Sequence, residues 1–412
     1  MNVLYIAYSC SPCHGSEDKI GWQIPWESSR WNQVYVITKE EQRPFVEAYL
    51  KEHPRQHLHF FYVDIPSVYK KIYKGCFYSG RLNIWHRRAL PVAEKICREY
   101  GISVIHQITP IEFRAIGNYG AIPGIRFVCG PVAGGQSIPG ELASYAGRYA
   151  PVEWLRSAVN EWFRLRCRIN GKGKSCSCLL FANEETADFL RPVISDDTAG
   201  RICPDVAADA CSFSDPAVSR NPDGIVRFLT VGRLVYLKGH RFLLDALARI
   251  PEEMNYQCTI VGEGPERSAL EEICRQRNLT GRVRFAGKIP HAEIGNLYEN
   301  ADVFVFPSLR EATGTVLTEA ISHGLPVIAL NGFGGKVILG PETAWLVNGD
   351  SKEAYIENLK AALMECISRP EEIDRRGTNA RLSAREMTWE KRMTYYQSLY
   401  EDVCGFPKES GV

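Results

Sequence analysis

Short apolar runs rich in Val, Ile, Leu and Phe recur along the chain, each closed by glycine, proline or a polar cluster. The first series comprises Val3–Ser9, Val34–Thr38, Leu58–Val63, Ser103–His106, Arg126–Cys129 and Cys178–Ala182. Longer stretches separate them, some of helical period, such as Pro91–Tyr100 and Glu184–Arg191. After the polar, proline-bearing segment Ser214–Gly224 a second series runs Ile225–Val231, Gln257–Val261, Val283–Ala286, Val303–Phe306 and Pro326–Leu330. Here the helical patterns are His240–Ile250, Pro265–Asn278 and His291–Asn300. Strands that alternate with helices predict an α/β fold with a parallel sheet in each half. The expected domains are 1–213 and 214–385, followed by a terminal segment 386–412. In that segment Trp389, Met393, Tyr396, Leu399 and Tyr400 share one helical face.

The stretch Val303–Val327, VFVFPSLREATGTVLTEAISHGLPV, reads as strand, polar loop, short helix and stop. Thr313 and Thr315 offer cap-type hydroxyls, and Glu311 and Glu319 flank the expected helix start. A helix N-terminus carries unpaired N–H groups and partial positive charge, which suits an anion such as a diphosphate. Alone, an acid pair at this spacing would be a helix cap and a solvated residue. The loops that follow the other strands change that. Gly15 lies in SPCHGSEDKIGW, Gly232, Arg233 and Lys238 in GRLVYLKG, and Gly262 in GEGP; Gly287, Lys288 and Ile289 follow Val283–Ala286. Ligands of open α/β sheets bind beyond the carboxyl ends of the strands, where these loops fall. A guanidinium and an ammonium directly after a buried strand suit a phosphoanhydride.

Two phosphate-binding patterns fail on detail. No G-x-G-x-x-G opens the first helix, and Arg267 stands where the Gly262 loop would need its third glycine. Lys238 is followed by Gly239, not by Ser or Thr, so there is no Walker A loop. A net charge of +1 gives no argument for nucleic acid. No window reaches the ~18 apolar residues of a membrane span, and the first residues read as a buried strand and not as a signal peptide. The cysteines are scattered, and Cys10-x-x-Cys13 has no second pair, which disfavours zinc and disulfides and fits a reducing cytoplasm.

GRLVYLKG, IVGEGP, VRFAGKI, the Glu311…Glu319 pair and the late Thr388-Trp389-Glu390 together resemble the retaining family-4 glycosyltransferases of GT-B fold. HGSEDKIGW, IHQITP and FVCGPVAGG resemble a branch that builds bacterial surface polysaccharides. The resemblance implies two Rossmann-like domains facing each other across a cleft, with a C-terminal helix crossing back to the N-terminal domain. It implies transfer of a sugar from a nucleotide-diphosphate sugar, held by the C-terminal domain, to a saccharide or lipid-linked acceptor with retention. Arg233 and Lys238 would neutralise the diphosphate, Glu319 would accept from the ribose hydroxyls, and Glu311 would hold the transferred sugar. Backbone N–H groups of Gly314, Thr315 and Val316 would cap the phosphate, Lys288 and Ile289 would meet the base, and Gly15 would approach the donor phosphates. Gly232 and Gly262 complete the expected donor set. No metal and no cofactor beyond the co-substrate are implied.

Three features depart from the family pattern. Ala312-Thr313-Gly314 replaces Gly-Phe-Gly, no acid follows Gly334-Gly335, and His106 falls about two places before the usual histidine. His106 is therefore either the catalytic histidine or a core histidine bonded to backbone. Basic-aromatic stretches at Tyr69–Arg88 and Trp154–Arg168 suit either ordinary surface helices or an anionic membrane, so the expected location is the cytoplasm or the inner face of its membrane. A sugar-nucleotide epimerase and a non-catalytic nucleotide-sugar-binding subunit are the alternatives.

Overall fold

The computed structural model describes residues 1–13, 15–73, 78–194, 198–209 and 223–405. The linker read at Ser214–Gly224 lies outside them up to residue 222, as do the end of the terminal segment and residues 74–77 of the first basic-aromatic stretch. The chain divides into two compact units. The first comprises Met1–Gln136, Arg156–Asp205 and Trp389–Val412; the second comprises Ser137–Leu155 and Val206–Thr388.

The first unit holds strands β1 (Asn2–Ala7), β2 (Gln33–Lys39), β3 (Leu58–Val63), β4 (Val104–Thr109), β5 (Arg126–Val132), β6 (Cys178–Phe181) and β7 (Ala199–Ile202). They form one parallel sheet in the order β3-β2-β1-β4-β5-β6-β7. The apolar runs fold as strands because both sheet faces are covered, and β1, β4 and β5 are almost wholly buried. The sequence pattern missed β7, whose Ala-Gly-Arg-Ile is half exposed at the sheet edge and carries little apolar signal. Helix Trp389–Cys404 packs on helix Ser16–Ser28, burying the expected face of Trp389, Met393, Tyr396, Leu399 and Tyr400. The C-terminal helix therefore belongs to the first unit, as the fold reading anticipates.

The second unit holds β8 (Val226–Val231), β9 (Tyr256–Val261), β10 (Val283–Gly287), β11 (Val303–Phe306), β12 (Val327–Leu330) and β13 (Ala344–Val347). Their order is β10-β9-β8-β11-β12-β13, again all parallel. Strand β13 is short and apolar, and the sequence pattern left it unread. The order reverses between β8 and β11: from β8 the chain steps outward through β9 to β10, and from β11 the opposite way through β12 to β13. Such a reversal is the usual binding point of an open α/β sheet.

Ser137–Leu155, from the first half of the chain, packs within the second unit. Tyr145 stacks on Phe242 with ring centroids 3.8 Å apart, and Tyr149 on Tyr236 at 4.2 Å. The buried Glu266 carboxylate accepts from Arg148 and from the Tyr149 hydroxyl, both at 3.0 Å. Aromatic stacking and a satisfied buried acid fix this segment in place.

Candidate functional site

The loop after β8 is shaped by close backbone approaches. Gly239 has φ +66°, and a Cβ there would lie 1.9 Å from the Pro307 carbonyl oxygen of the loop after β11. Only glycine fits, and the contact holds the two loops side by side. The Leu309 N–H donates to the Leu237 carbonyl at 2.8 Å across the same seam. On the other flank, the Gly232 N–H donates to Val261 at 3.0 Å and the Gly262 N–H to Gly287 at 2.8 Å. A Cβ on Gly262 would meet the Gly232 oxygen at 1.8 Å. The loops after β8, β9, β10 and β11 thus line one edge of the sheet.

This seam brings together Lys238 and Glu311, whose ammonium and carboxylate form an ion pair, both groups about three-quarters buried. Lys238 also lies 5.5 Å from the Phe306 ring centroid, and its chain runs over Gly232. Glu311 packs beside Gly314, which opens helix Thr315–Ser322 with φ 102° and ψ 95°. Gly314 caps that helix without a side-chain bond. Thr313, a cap-type hydroxyl in the sequence, lies just before this N-cap and is buried, and a Cβ on Gly334 would meet its carbonyl oxygen at 1.9 Å. The first-turn N–H groups of Thr315 and Val316 follow directly on the Gly314 cap.

Arg233 is exposed directly after Gly232, and among the described residues no carboxylate pairs with it. Glu319 sits one turn into the helix and accepts from the buried Tyr298 hydroxyl at 2.9 Å. Burial, then the Glu319 charge, raise the Tyr298 phenol well above its ordinary value, so it remains a donor. Lys288 is exposed and Ile289 half-buried after β10. His240, behind Lys238, is held neutral: burial and then the Lys238 charge push it down to about 4.

Sequence reasoning missed Glu153. Its carboxylate accepts from the Tyr236 hydroxyl and pairs with Arg310, the residue before Glu311. One acid thus ties the loop after β8 to the loop after β11. Only the fold reveals it, because Glu153 lies 83 residues from Tyr236 and 157 from Arg310, and no local pattern points across that distance.

Two candidates lie in the first unit. Gly15, at φ 33°, is the N-cap of helix Ser16–Ser28. Close to it the half-buried Glu17 carboxylate accepts the Ile111 N–H at 3.0 Å, and desolvation raises its pKa. His106 is the second of them. It is fully buried on β4, with one ring nitrogen 2.7 Å from the Tyr400 hydroxyl and the other 2.7 Å from the Gly130 carbonyl. Burial, opposed by the Gly130 bond, pushes it down to about 4. Both ring nitrogens are thus engaged within the first unit, an arrangement that matches the core histidine of the two readings.

Residues 213–382 match the family model described as "Glycosyl transferases group 1". The matched residues fall in the second unit, which is thus similar to group 1 glycosyl transferase domains. The matched span includes every candidate residue of the seam from Gly232 to Glu319. An uncharacterized glycosyltransferase of Methanocaldococcus jannaschii is 40% identical over 100 residues, which is 24% of this chain and 26% of that protein. A glycogen synthase of Mycobacterium tuberculosis is 29% identical over 250 residues, 58% of this chain and 56% of that protein. The chain thus spans about half, or less, of the length of these curated relatives. The structure of Anabaena HepE, in complex with UDP and glucose, superposes with a TM-score of 0.65 over 98% of this chain and 100% of that one, at 16% identity. At that identity the likeness concerns the fold: two Rossmann-like domains, as in GT-B glycosyltransferases.

Proposed function

We propose that this protein is a retaining glycosyltransferase that moves a hexosyl-type sugar from a nucleotide-diphosphate sugar to a saccharide or lipid-linked acceptor, in the building of a bacterial cell-surface polysaccharide. The observation that carries the reading is the Lys238–Glu311 pair, set at the strand-order reversal beside the N-terminus of Thr315–Ser322. A diphosphate needs cations and oriented N–H groups, and a sugar needs a fixed hydroxyl acceptor. On this reading Lys238 turns from Glu311 to the diphosphate as the donor binds, and Arg233 joins it. Glu311 is then released to accept from the sugar's hydroxyls, while Glu319, oriented by Tyr298, accepts from the ribose.

In the reaction the anomeric carbon–oxygen bond to the diphosphate breaks and a bond to the acceptor oxygen forms on the same face. The acceptor proton passes to a phosphate oxygen, so no protein base is required, and charge stabilisation of the leaving diphosphate is the main contribution. Lys238 and Arg233 supply that charge without a metal. The acceptor chemistry and the location are read together: a lipid-linked acceptor calls for peripheral association with the inner face of the cytoplasmic membrane.

The test is nucleotide release from a panel of UDP-, GDP- and dTDP-sugars with native lipid extract as acceptor, and Glu311→Gln as control. Turnover of one donor, lost in the control, supports the reading. Donor binding with no turnover on any acceptor would instead favour a non-catalytic binding subunit.

A further inference from the structure

Helix Ala150–Ile169 wears its apolar stripe on the outside. Trp154 is 73% exposed, Trp162 55%, Leu165 54% and Ile169 74%, with Leu155 beside them, while Asn160 and Cys167 are its buried positions. At 3.6 residues per turn, positions 154, 155, 158, 162, 165 and 169 fall within an arc of about 100° and run about 22 Å along the axis. That is the width of a core-facing stripe, turned to solvent. An ordinary surface helix would place these residues inward, and a continuous exposed patch of this kind marks an interaction surface.

Charge decides what covers it. Arg166 borders one edge of the stripe, its guanidinium 5.3 Å from the Trp162 ring centroid, and Arg168 borders the other. Lys174 follows the helix, and among the described residues neither Arg168 nor Lys174 pairs with a carboxylate. The one acid at the stripe's border, Glu161, is already paired with Arg164. A second copy of this chain docked on the stripe would set arginine edges against arginine edges, which is not complementary. A bilayer with anionic headgroups accepts both parts: indole and aliphatic side chains at the acyl boundary, cations among the phosphates. The other basic-aromatic stretch is less available. Lys70 is paired with Glu41 and Asp64 at 2.9 and 2.7 Å, and Arg88 donates to the Asp64 carbonyl at 2.7 Å.

We infer that helix Ala150–Ile169 lies in the plane of an anionic membrane surface with Trp154, Trp162, Leu165 and Ile169 inserted and Arg166 and Arg168 at the headgroups. The inference deepens the peripheral-association part of the proposed function, and it does not depend on the catalytic part.

The test is flotation of the full chain with vesicles of phosphatidylcholine alone, or mixed with an equal share of phosphatidylglycerol, at low salt. The wild type is expected to float with the mixed vesicles and to stay behind with the neutral ones. Trp162→Ser/Ile169→Ser should abolish flotation with unchanged Tm and unchanged turnover on a soluble acceptor. Arg166→Gln/Arg168→Gln should weaken partitioning roughly thirtyfold, as expected for two cations near a charged surface. A wild type that never floats, or serine variants that float undiminished, would overturn the inference. So would a solution dimer that Trp162→Ser converts to monomer. Turnover failing while flotation succeeds would count against the catalytic reading alone.

Discussion

The Lys238 ammonium and the Glu311 carboxylate pair across two loops that leave neighbouring strands, β8 and β11. If the pair opens to receive a donor, the two residues differ in what their loss does. Lys238→Ala should lower turnover about a hundredfold or more, the cost of one preorganised charge at a developing anion. Glu311→Gln keeps the shape and loses the charge, so donor should still bind while transfer falls. Both variants should unfold within about 1 kcal/mol of wild type, since a partly exposed pair contributes little to stability. Steady-state nucleotide release and thermal melting separate these effects.

Glu153 predicts a different pattern. Glu153→Ala removes the anchor of Tyr236 and Arg310 at once and leaves the Arg310 guanidinium, 10% exposed, without its partner. A stability loss of about 3 kcal/mol is expected from the uncompensated charge. Donor KM should rise roughly tenfold because both loops drift, a small displacement being enough at a reacting centre. Glu153→Gln keeps the acceptor for Tyr236 and should recover part of the KM but less of the stability.

Two glycines with similar backbone angles should respond unequally to the same change. Gly239→Ala places a methyl against the Pro307 carbonyl as well as straining φ at +66°, whereas Gly101, at +58°, has open space around it. Gly101→Ala should cost about 1 kcal/mol. Gly239→Ala should cost at least twice that and also lower donor affinity, since it wedges apart the loops that carry Lys238 and Glu311. Chemical denaturation and donor titration provide the comparison.

Acid should destabilise the fold through its buried histidines. His106 and His240 are pushed down to about 4 and His86 to about 3, burial being the largest cause in each. In the unfolded chain each titrates near 6.5, so below that pH the unfolded state holds protons that the native state refuses. Stability therefore falls as pH drops from about 6.5 toward 4, with an uptake approaching three protons per unfolding event. Tyr400→Phe should flatten no part of that slope. It leaves His106 buried but removes the hydroxyl at 2.7 Å, for a pH-independent loss of about 2 kcal/mol. Denaturant midpoints across pH 4–7 decide this.

Much of this architecture was legible in the chain. Val303–Phe306 and Leu58–Val63 match their strands to the residue, because breakers bound each apolar run; the first is wholly buried, the second a partly exposed edge strand. The seam glycines and the Lys238–Glu311 region were visible because close approaches need glycine and leave it beside charge. Three things were hidden. Strand β7 is too polar to announce itself, and the cap at Gly314 depends on backbone angles that no side chain reports. Glu153 acts through pairing between residues far apart in sequence, where local periodicity carries no information. His106 was ambiguous for the same reason: its fate turns on Tyr400, almost three hundred positions later.

The first unit is assembled from three separated pieces of chain, the last of them the helix that ends at Cys404. Tyr400 from that piece closes a buried relay through Tyr5 to Ser28, with hydroxyl separations of 3.1 and 2.9 Å. During translation the first sheet's unit must therefore wait for its last helix until the chain has been made as far as Cys404. The half synthesised later has all its pieces in hand sooner, so birth order and completion order run opposite ways. A nascent chain stalled before Trp389 would present an unfinished first unit to chaperones, and ribosome pausing there would lengthen that exposure.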